Sequence, residues 1–372
     1  MKNLLCAALH PGSANSIGPV IKELLKSEDY HIKTLAYGPA TQIFSRLNIP
    51  FEIPRLINVS ALSCVIDESQ PNLILTGTSD KDKENPEVLE QNLIYCAKNK
   101  VTTLAIADIW KSYGSVFSEQ NDKFKYYPNL VAVMNEHARI TMTNEGYPQE
   151  TIRVTGNPHF DEVIKINKEF KNEDRTKIRS ELNIKDDAYV IMFASQPIEL
   201  AYGKDSSNPK YLGYTEKDIL KDVVESINKM HHIPQKLTLF IKVHPREKQK
   251  ELEDIIPNSK YPVIFNQECP PIKATLASDM VISAFSTMLY ESTLLDKPSV
   301  SYQPGLIGED QLLTNSWDVT IPIYQKKDLI PTIEKIINDL DYQQSIKEKR
   351  KSFSVEENAT QNVLKLIYRQ IS

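Results

Sequence analysis

Val281-Ile282-Ser283-Ala284-Phe285-Ser286-Thr287-Met288-Leu289-Tyr290-Glu291 carries an apolar run into a hydroxyl-rich turn and on into a helical pattern. A short continuous apolar run closed by turn residues reads as a strand buried on both faces. Ser286 or Thr287 can supply the oxygen that caps the helix, whose free N–H groups and dipole attract an anion. Glu291 follows on that helix, within reach of a ribose attached to the same phosphates. An ordinary capped helix with a half-buried glutamate would use the same residues, so the segment takes its meaning from its surroundings.

Outward from this unit, short apolar runs alternate with longer amphipathic stretches along all 372 residues, as βαβ units around parallel sheets require. The first half predicts strands at Asn3–Leu9, His31–Tyr37, Asn72–Thr76, Thr102–Ala107, Leu130–Met134 and Ile152–Val154, with helices at Ile17–Lys26 and Pro86–Lys98. The second half predicts strands at Tyr189–Ala194, Leu237–Val243, Val263–Phe265, Met280–Ser283 and Ser299–Tyr302. Its helices fall at Lys217–Met230, Ile272–Ala277, Thr287–Leu294 and Leu329–Leu340. The polar stretch Lys168–Arg179 separates the two series. The expectation is an α/β protein of two Rossmann-like, doubly wound domains, residues 1–167 and 168–341. Charged helices over 342–372 would pack back across a cleft between them.

Composition narrows the function. Hydrophobic residues make up 41% and charged residues 25%, enough apolar material for real cores and too much for disorder. The 44 Lys and Arg against 49 Asp and Glu argue against a dedicated nucleic-acid binder, which needs a basic excess. No apolar run approaches the ~18 residues of a membrane span. The stretch at residues 3–9 is cut short by His10-Pro11-Gly12 and reads as a first strand rather than a signal segment. Cys6, Cys64, Cys96 and Cys269 lack metal or redox spacing, as in a reduced cytoplasmic protein.

A second constellation, Leu239-Phe240-Ile241-Lys242-Val243-His244-Pro245-Arg246-Glu247, gathers Lys242, His244 and Arg246 at the end of an apolar strand. Histidine there can donate to a phosphate oxygen or protonate a departing one, and the proline ends the strand. A solvated basic strand end is the plainer alternative. This His-Pro turn, followed by strand, Ser/Thr turn, helix and Glu, resembles the nucleotide-binding domain of GT-B glycosyltransferases. The resemblance is nearest to the branch of UDP-N-acetylglucosamine 2-epimerases, bacterial CMP-sialate transferases and CDP-glycerol glycerophosphotransferases. Thr155-Gly156-Asn157-Pro158-His159-Phe160-Asp161 is similar to the segment that closes the N-terminal domain of the epimerases. Where those enzymes carry an Arg/Glu/Asn-rich motif, this chain has Ser195-Gln196-Pro197, which argues against epimerisation.

The resemblance implies transfer of a nucleotide-activated sugar, UDP- or CMP/CDP-linked, to a glycan or lipid-linked acceptor in cell-surface polysaccharide synthesis. No metal and no bound cofactor is implied. The epimerase and the glycerophosphotransferase reactions remain alternatives, and a two-lobed binding protein is the non-enzymatic one. His244, Ser286 and Thr287 take the phosphate-contacting role from these families. Lys242, Arg246, Ser283, Glu291, Ser195 and Gln196 join them on the donor side. His10, Ser13 and Asn15 belong to a first-domain loop, His10–Ser16, that faces the acceptor. In Leu104-Ala105-Ile106-Ala107-Asp108-Ile109-Trp110-Lys111-Ser112-Tyr113, Asp108 ends a strand where a general base is expected. Asp80, Glu136 and His10 are its rivals, and Trp110 and Tyr113 are read as a stacking wall. Asp80-Lys81-Asp82 lies in a mixed-charge run and reads as solvated loop, and His231-His232 as a polar helix end. Lys347–Lys351 is read as a solvated helix face, with peripheral contact to the inner face of the membrane as the alternative. Oligomeric state is left open.

Overall fold

The computed structural model describes residues 1–81, 86–231, 236–256, 258–352, 356 and 358–371. It forms two compact units, Met1–Glu162 with Val355–Ser372, and Val163–Ser354. The division falls at Glu162/Val163 rather than at 167/168.

In the first unit β1 (Lys2–Ala8), β2 (Tyr30–Ala36), β3 (Leu73–Thr76), β4 (Thr102–Ile106), β5 (Leu130–Val133) and β6 (Ile152–Val154) form a parallel sheet, ordered β2-β1-β3-β4-β5-β6. The connecting helices are α1 (Pro11–Leu24), α2 (Ala40–Arg46), α3 (Val59–Ser69), α4 (Leu89–Ala97), α5 (Gly114–Phe117) and α6 (Glu136–Asn144), and α7 (Pro158–Glu169) begins in this unit and continues past the division. Strand alternation sorts the core. Leu4, Cys6 and Ala8 pack with α1 and α2, whereas Leu5, Ala7 and Leu9 pack with α3 and α4. Both faces are therefore apolar, which is why these strands read as continuous rather than alternating runs.

The second unit holds α8 (Asn172–Glu181), β7 (Tyr189–Ala194), α9 (Ile198–Tyr202), α10 (Glu216–Lys229), β8 (Leu237–Lys242), α11 (Gln249–Glu253), β9 (Val263–Asn266) and α12 (Pro271–Ala277). There follow β10 (Met280–Ser283), α13 (Thr287–Leu294), β11 (Ser299–Tyr302), α14 (Leu313–Ser316), β12 (Ile321–Ile323), α15 (Leu329–Asn338) and α16 (Leu340–Ser352). The sheet order β12-β11-β10-β7-β8-β9 is the order of a Rossmann fold, with β7 as its first strand and β10 as its fourth. In such sheets ligands bind beyond the carboxyl ends of the strands where the order reverses. That point lies between β1 and β3 in the first unit and between β7 and β10 in the second.

The final helix, α17 (Ala359–Ile371), packs in the first unit, with Val363, Leu364, Leu366, Ile367 and Ile371 in the core against α1. Asp161 accepts from the N–H groups of Ala359 and Thr360 at 3.1 and 2.8 Å, capping α17 across 198 residues of chain. Gly156, at φ +85°, brings its backbone so close that a Cβ would stand 2.7 Å from the Ala359 methyl and 2.8 Å from the Glu356 carbonyl. The stretch 342–372 is thus not one piece: α16 belongs to the second unit, where Ile346 enters the core.

Four local readings are corrected. His10–Ser16 is not a loop: Pro11, its φ preset and its missing N–H harmless at the first position, starts α1 at once. Pro86 precedes α4 by three residues instead of opening it. β12 escaped detection because Ile321-Pro322-Ile323 is short and holds a proline, tolerated here on the sheet edge. Lys168–Arg179 is helical apart from a break at Phe170 and Lys171, and Arg179 is buried, donating to the carbonyls of Ala277, Asp186 and Ala188 and to the Asp279 carboxylate.

Candidate active site

The residues singled out at both strand-order reversals fall into two polar groups, one in each unit. In the second unit Ser195 and Gln196 follow β7, which is flanked by β8 and β10. The Gln196 carboxamide oxygen accepts from the Phe285 N–H at 3.0 Å and from the Ser283 hydroxyl at 3.3 Å. Ser283 is fully buried and also donates to the Ala194 carbonyl at 2.6 Å. On the other side the Ser195 hydroxyl donates to Glu247 Oε1 at 2.7 Å, and Glu247 Oε2 accepts the His244 N–H at 3.1 Å. Ser195 and Gln196 therefore tie the His-Pro turn to the Ser/Thr turn, joining the two constellations read separately in the sequence.

His244 is half-buried, and its Nδ1 accepts the Arg246 N–H at 3.1 Å. Burial, reinforced by the Arg246 and Lys242 charges, pushes its pKa down to about 4. The ring is neutral at pH 7, with Nδ1 occupied as an acceptor, so its proton is on Nε2 and that atom is a donor. Lys242 is buried, its ammonium donating to the carbonyls of Val243 at 3.0 Å and Gln267 at 2.7 Å, and burial lowers its pKa. Arg246 is exposed and lines a groove of about 410 Å³ together with Glu199, Lys217, Glu247 and Glu251. Ser286 caps α13, its hydroxyl oxygen accepting the Met288 N–H at 3.2 Å, while Thr287 is exposed in the first turn. Glu291 lies one turn further along, half-buried.

Glu247 was not singled out in the sequence. Burial raises its pKa to about 7, against the Ser195 hydroxyl and His244 N–H bonds, which lower it. Its place three residues after His244 was the available signal, since that spacing lets a carboxylate close a turn onto the histidine's own N–H.

In the first unit Asp108 follows β4 and is half-buried. Its Oδ1 accepts the Thr78 hydroxyl at 2.5 Å, and its Oδ2 lies against α1, so close that a Cβ on Gly12 would stand 1.9 Å away. Burial raises its pKa to about 6, partly offset by the Thr78 bond. A carboxylate with that proton affinity is ionised at neutral pH yet basic enough to take a hydroxyl proton. Ser13 joins this group through Glu90 of α4: the Ser13 and Ser79 hydroxyls each donate to Glu90 Oε1 at 2.7 Å. His10 stands at the N-cap position of α1 without a side-chain capping bond, and its Nδ1 stands 3.7 Å from Asp80.

Other candidates lie elsewhere. Asn15 accepts from Arg46 of α2 at 3.4 Å, away from the strand ends. Glu136 is exposed and paired with Arg139 on α6. Tyr113 is fully buried and donates to backbone carbonyls, so it is core and not a wall for a ligand. Trp110 stacks on Phe160, with ring centroids 6.3 Å apart. Asp82 and His232 lie outside the described residues. In the basic run of α16, Lys347, Glu348 and Lys349 are exposed, whereas Arg350 is half-buried and donates to the Lys297 carbonyl at 2.9 Å. Among the described residues, no three His, Cys, Asp or Glu side chains converge as a metal site requires, and no helix is long and apolar enough to cross a membrane.

The model of the CDP-glycerol:poly(glycerophosphate) glycerophosphotransferase family matches residues 104–368, a span that includes Asp108, the His-Pro turn and the Ser/Thr turn. The chain belongs to that family. Comparison with curated proteins returned no match. Among solved structures it resembles an S. aureus MnaA–UDP complex (TM-score 0.73, 15% identity), covering 100% of this chain and 98% of that one. It also resembles UDP-GlcNAc 2-epimerase from Neisseria meningitidis bound to UDP-GlcNAc (TM-score 0.72, 16% identity), over 99% and 100% of the two chains. MurG of Acinetobacter baumannii is a third, at TM-score 0.61 and 12% identity over 99% and 100%. Identities this low carry the fold: the glycerophosphotransferase family chain has the two Rossmann-like domains of GT-B enzymes. It is an enzyme family acting on nucleotide-linked substrates.

Proposed function

We propose that the protein moves a glycerol phosphate group from a cytidine-diphosphate-linked donor to an acceptor hydroxyl on a polyol-phosphate or other glycan chain. The observation that carries this reading is the hydrogen-bonded link from His244 through Glu247, Ser195 and Gln196 to Phe285 and Ser283. It sets a neutral histidine donor and a capped helix start beside one strand-order reversal, as a diphosphate site needs. Family membership favours glycerol phosphate over a sugar as the transferred group.

In this mechanism the acceptor oxygen attacks the glycerol-bearing phosphorus. The new P–O bond forms as the P–O bond to the cytidylate breaks, and the hydroxyl proton passes to Asp108. The electron pair leaves with CMP, whose developing charge meets the His244 Nε2–H and the first N–H groups of α13. Ser286 and Thr287 border that anion, and Glu291 holds the ribose.

The test incubates the purified protein with CDP-glycerol and a short glycerol-phosphate oligomer, following CMP release and oligomer mass. Extension by one glycerol phosphate per CMP, lost in His244→Ala, is the expected result. Sugar addition from a UDP- or CMP-sugar in place of this would replace the reading with glycosyl transfer. Conversion of UDP-GlcNAc without acceptor would replace it with epimerisation.

A further inference from the structure

Glu90 is a buried carboxylate that the mechanism above does not use. It stands in the first turn of α4, 1% exposed, and among the described residues no cation pairs with it. Its Oε1 accepts three donors from three places in the chain: the Leu9 N–H at 2.9 Å, the Ser13 hydroxyl at 2.7 Å and the Ser79 hydroxyl at 2.7 Å. Among the described residues its Oε2 is buried with no hydrogen-bond partner. Ser79 in turn accepts the His10 N–H at 3.2 Å. A Cβ on Gly77 would stand 2.2 Å from the Ser13 hydroxyl, so these segments meet tightly. A neutral amide oxygen would accept the same three bonds, so a carboxylate at this place calls for a reason beyond the clamp.

The reason lies across the same frame. Asp108 touches Gly12, next to Ser13, and bonds Thr78, next to Ser79. We infer that Glu90 is a positioning residue: Oε1 pins the β1–α1 junction and the loop after β3 together, and its buried charge acts on Asp108 across that frame. A second negative charge nearby makes Asp108 a stronger base by disfavouring its ionised form. Glu90 is among the groups that raise the Asp108 pKa, whereas His10 opposes it. Asp80 stands on the far side of His10, and Tyr113 lies behind Asp108. The inference rests on Asp108 being the base of the proposed reaction, and the test separates the two.

The experiment uses the full chain with carboxyl-13C aspartate, the Asp108 resonance assigned by its absence in Asp108→Asn. Glu90→Gln keeps the three bonds and removes the charge. The Asp108 midpoint, near 6 in the unaltered chain, should move to lower pH, and the acidic limb of the kcat profile should move with it. An unmoved Asp108 midpoint in a folded Glu90→Gln chain overturns the inference. A midpoint that moves while the acidic limb stays supports the coupling and overturns Asp108 as the base. If Glu90→Gln does not fold, the reciprocal measurement decides. Coupled sites report each other, so the pH response of a carboxyl-13C Glu90 must change in Asp108→Asn, and an unchanged response overturns the inference.

Discussion

At the scale of single residues, the candidate site moves three groups away from their ordinary pKa. Asp108 has its pKa raised to about 6, so its ionised form is disfavoured in the fold. The stability linked to this group is full below the unfolded pKa near 3.8 and is lost as pH rises through 6, at most on the order of 3 kcal/mol. Asp108→Asn should therefore melt higher than the unaltered protein at pH 7.5, by a margin that shrinks toward pH 4. The same variant should lose about 10²- to 10⁴-fold in turnover, the usual share of a general base. Equal melting at both pH values would refute the buried-base description. On the donor side, His244 is neutral across the physiological range, so the affinity step belongs to Glu247, with its pKa near 7. Ionised Glu247 places a negative charge beside the anion site. Calorimetric titration with CDP-glycerol should show binding weaken as pH rises through 7, and Glu247→Gln should flatten that profile. A step retained in Glu247→Gln would assign it to another group. The places of Asp108 and His244 just past strand ends were legible because strand ends are visible in one sequence. Glu90 and Thr78 were not, since their partners stand 81 and 30 residues away and adjacency of β1, β3 and β4 had to be known first.

At the scale of elements, the first turn of α1 is the part most easily misread. Gly12-Ser13-Ala14-Asn15-Ser16 has the composition of a loop, and only its crowding shows why small residues suit a helix here. Gly12 lies against the Asp108 carboxylate and Gly77 against Ser13, so both close approaches depend on missing side chains. Gly12→Ala gains helix propensity of about 1 kcal/mol while forcing the carboxylate off the Thr78 hydroxyl. The expected variant is folded, melts within a few degrees of the unaltered protein, and loses turnover nearly as far as Asp108→Asn. Full activity in Gly12→Ala would show that the Asp108 position at the head of α1 is unimportant to the reaction. The strands, by contrast, were read within a residue or two wherever both faces are apolar. β12 alone failed, because an edge strand with a proline lacks that signature.

At the scale of the whole molecule, two separate cores were legible from the alternation of strands and helices, but the assignment of the last thirty-one residues was not. The reading of 342–372 as helical matches α16 and α17 among the described residues and said nothing of which core each helix completes. That depends on Asp161, which reaches α17 over 198 residues, and on Ile346, which anchors α16 in the other unit. Each core then has its own long-range fastening. In the first unit it is the Asp161 cap, whose removal should cost about 1 kcal/mol, more if both N–H groups are left buried. In the second it is Arg179, whose guanidinium donates to the carbonyls of Ala277, Asp186 and Ala188 and to the Asp279 carboxylate, and whose loss leaves the buried carbonyls without that donor at a cost of about 2–3 kcal/mol, Asp279 keeping its pair with Arg175. Differential scanning calorimetry of Asp161→Ala and Arg179→Ala checks this division. Asp161→Ala should lower the transition of the first unit, and Arg179→Ala that of the second by a larger interval, each leaving the other in place. Arg179→Met, which retains packing volume without the donors, should recover only a small part of the loss, because the carbonyls of Ala277 and Ala188 still lack their partner. One transition lowered alike by both single variants would mean that the cores unfold as a single cooperative body, and the separation by fastening would fall.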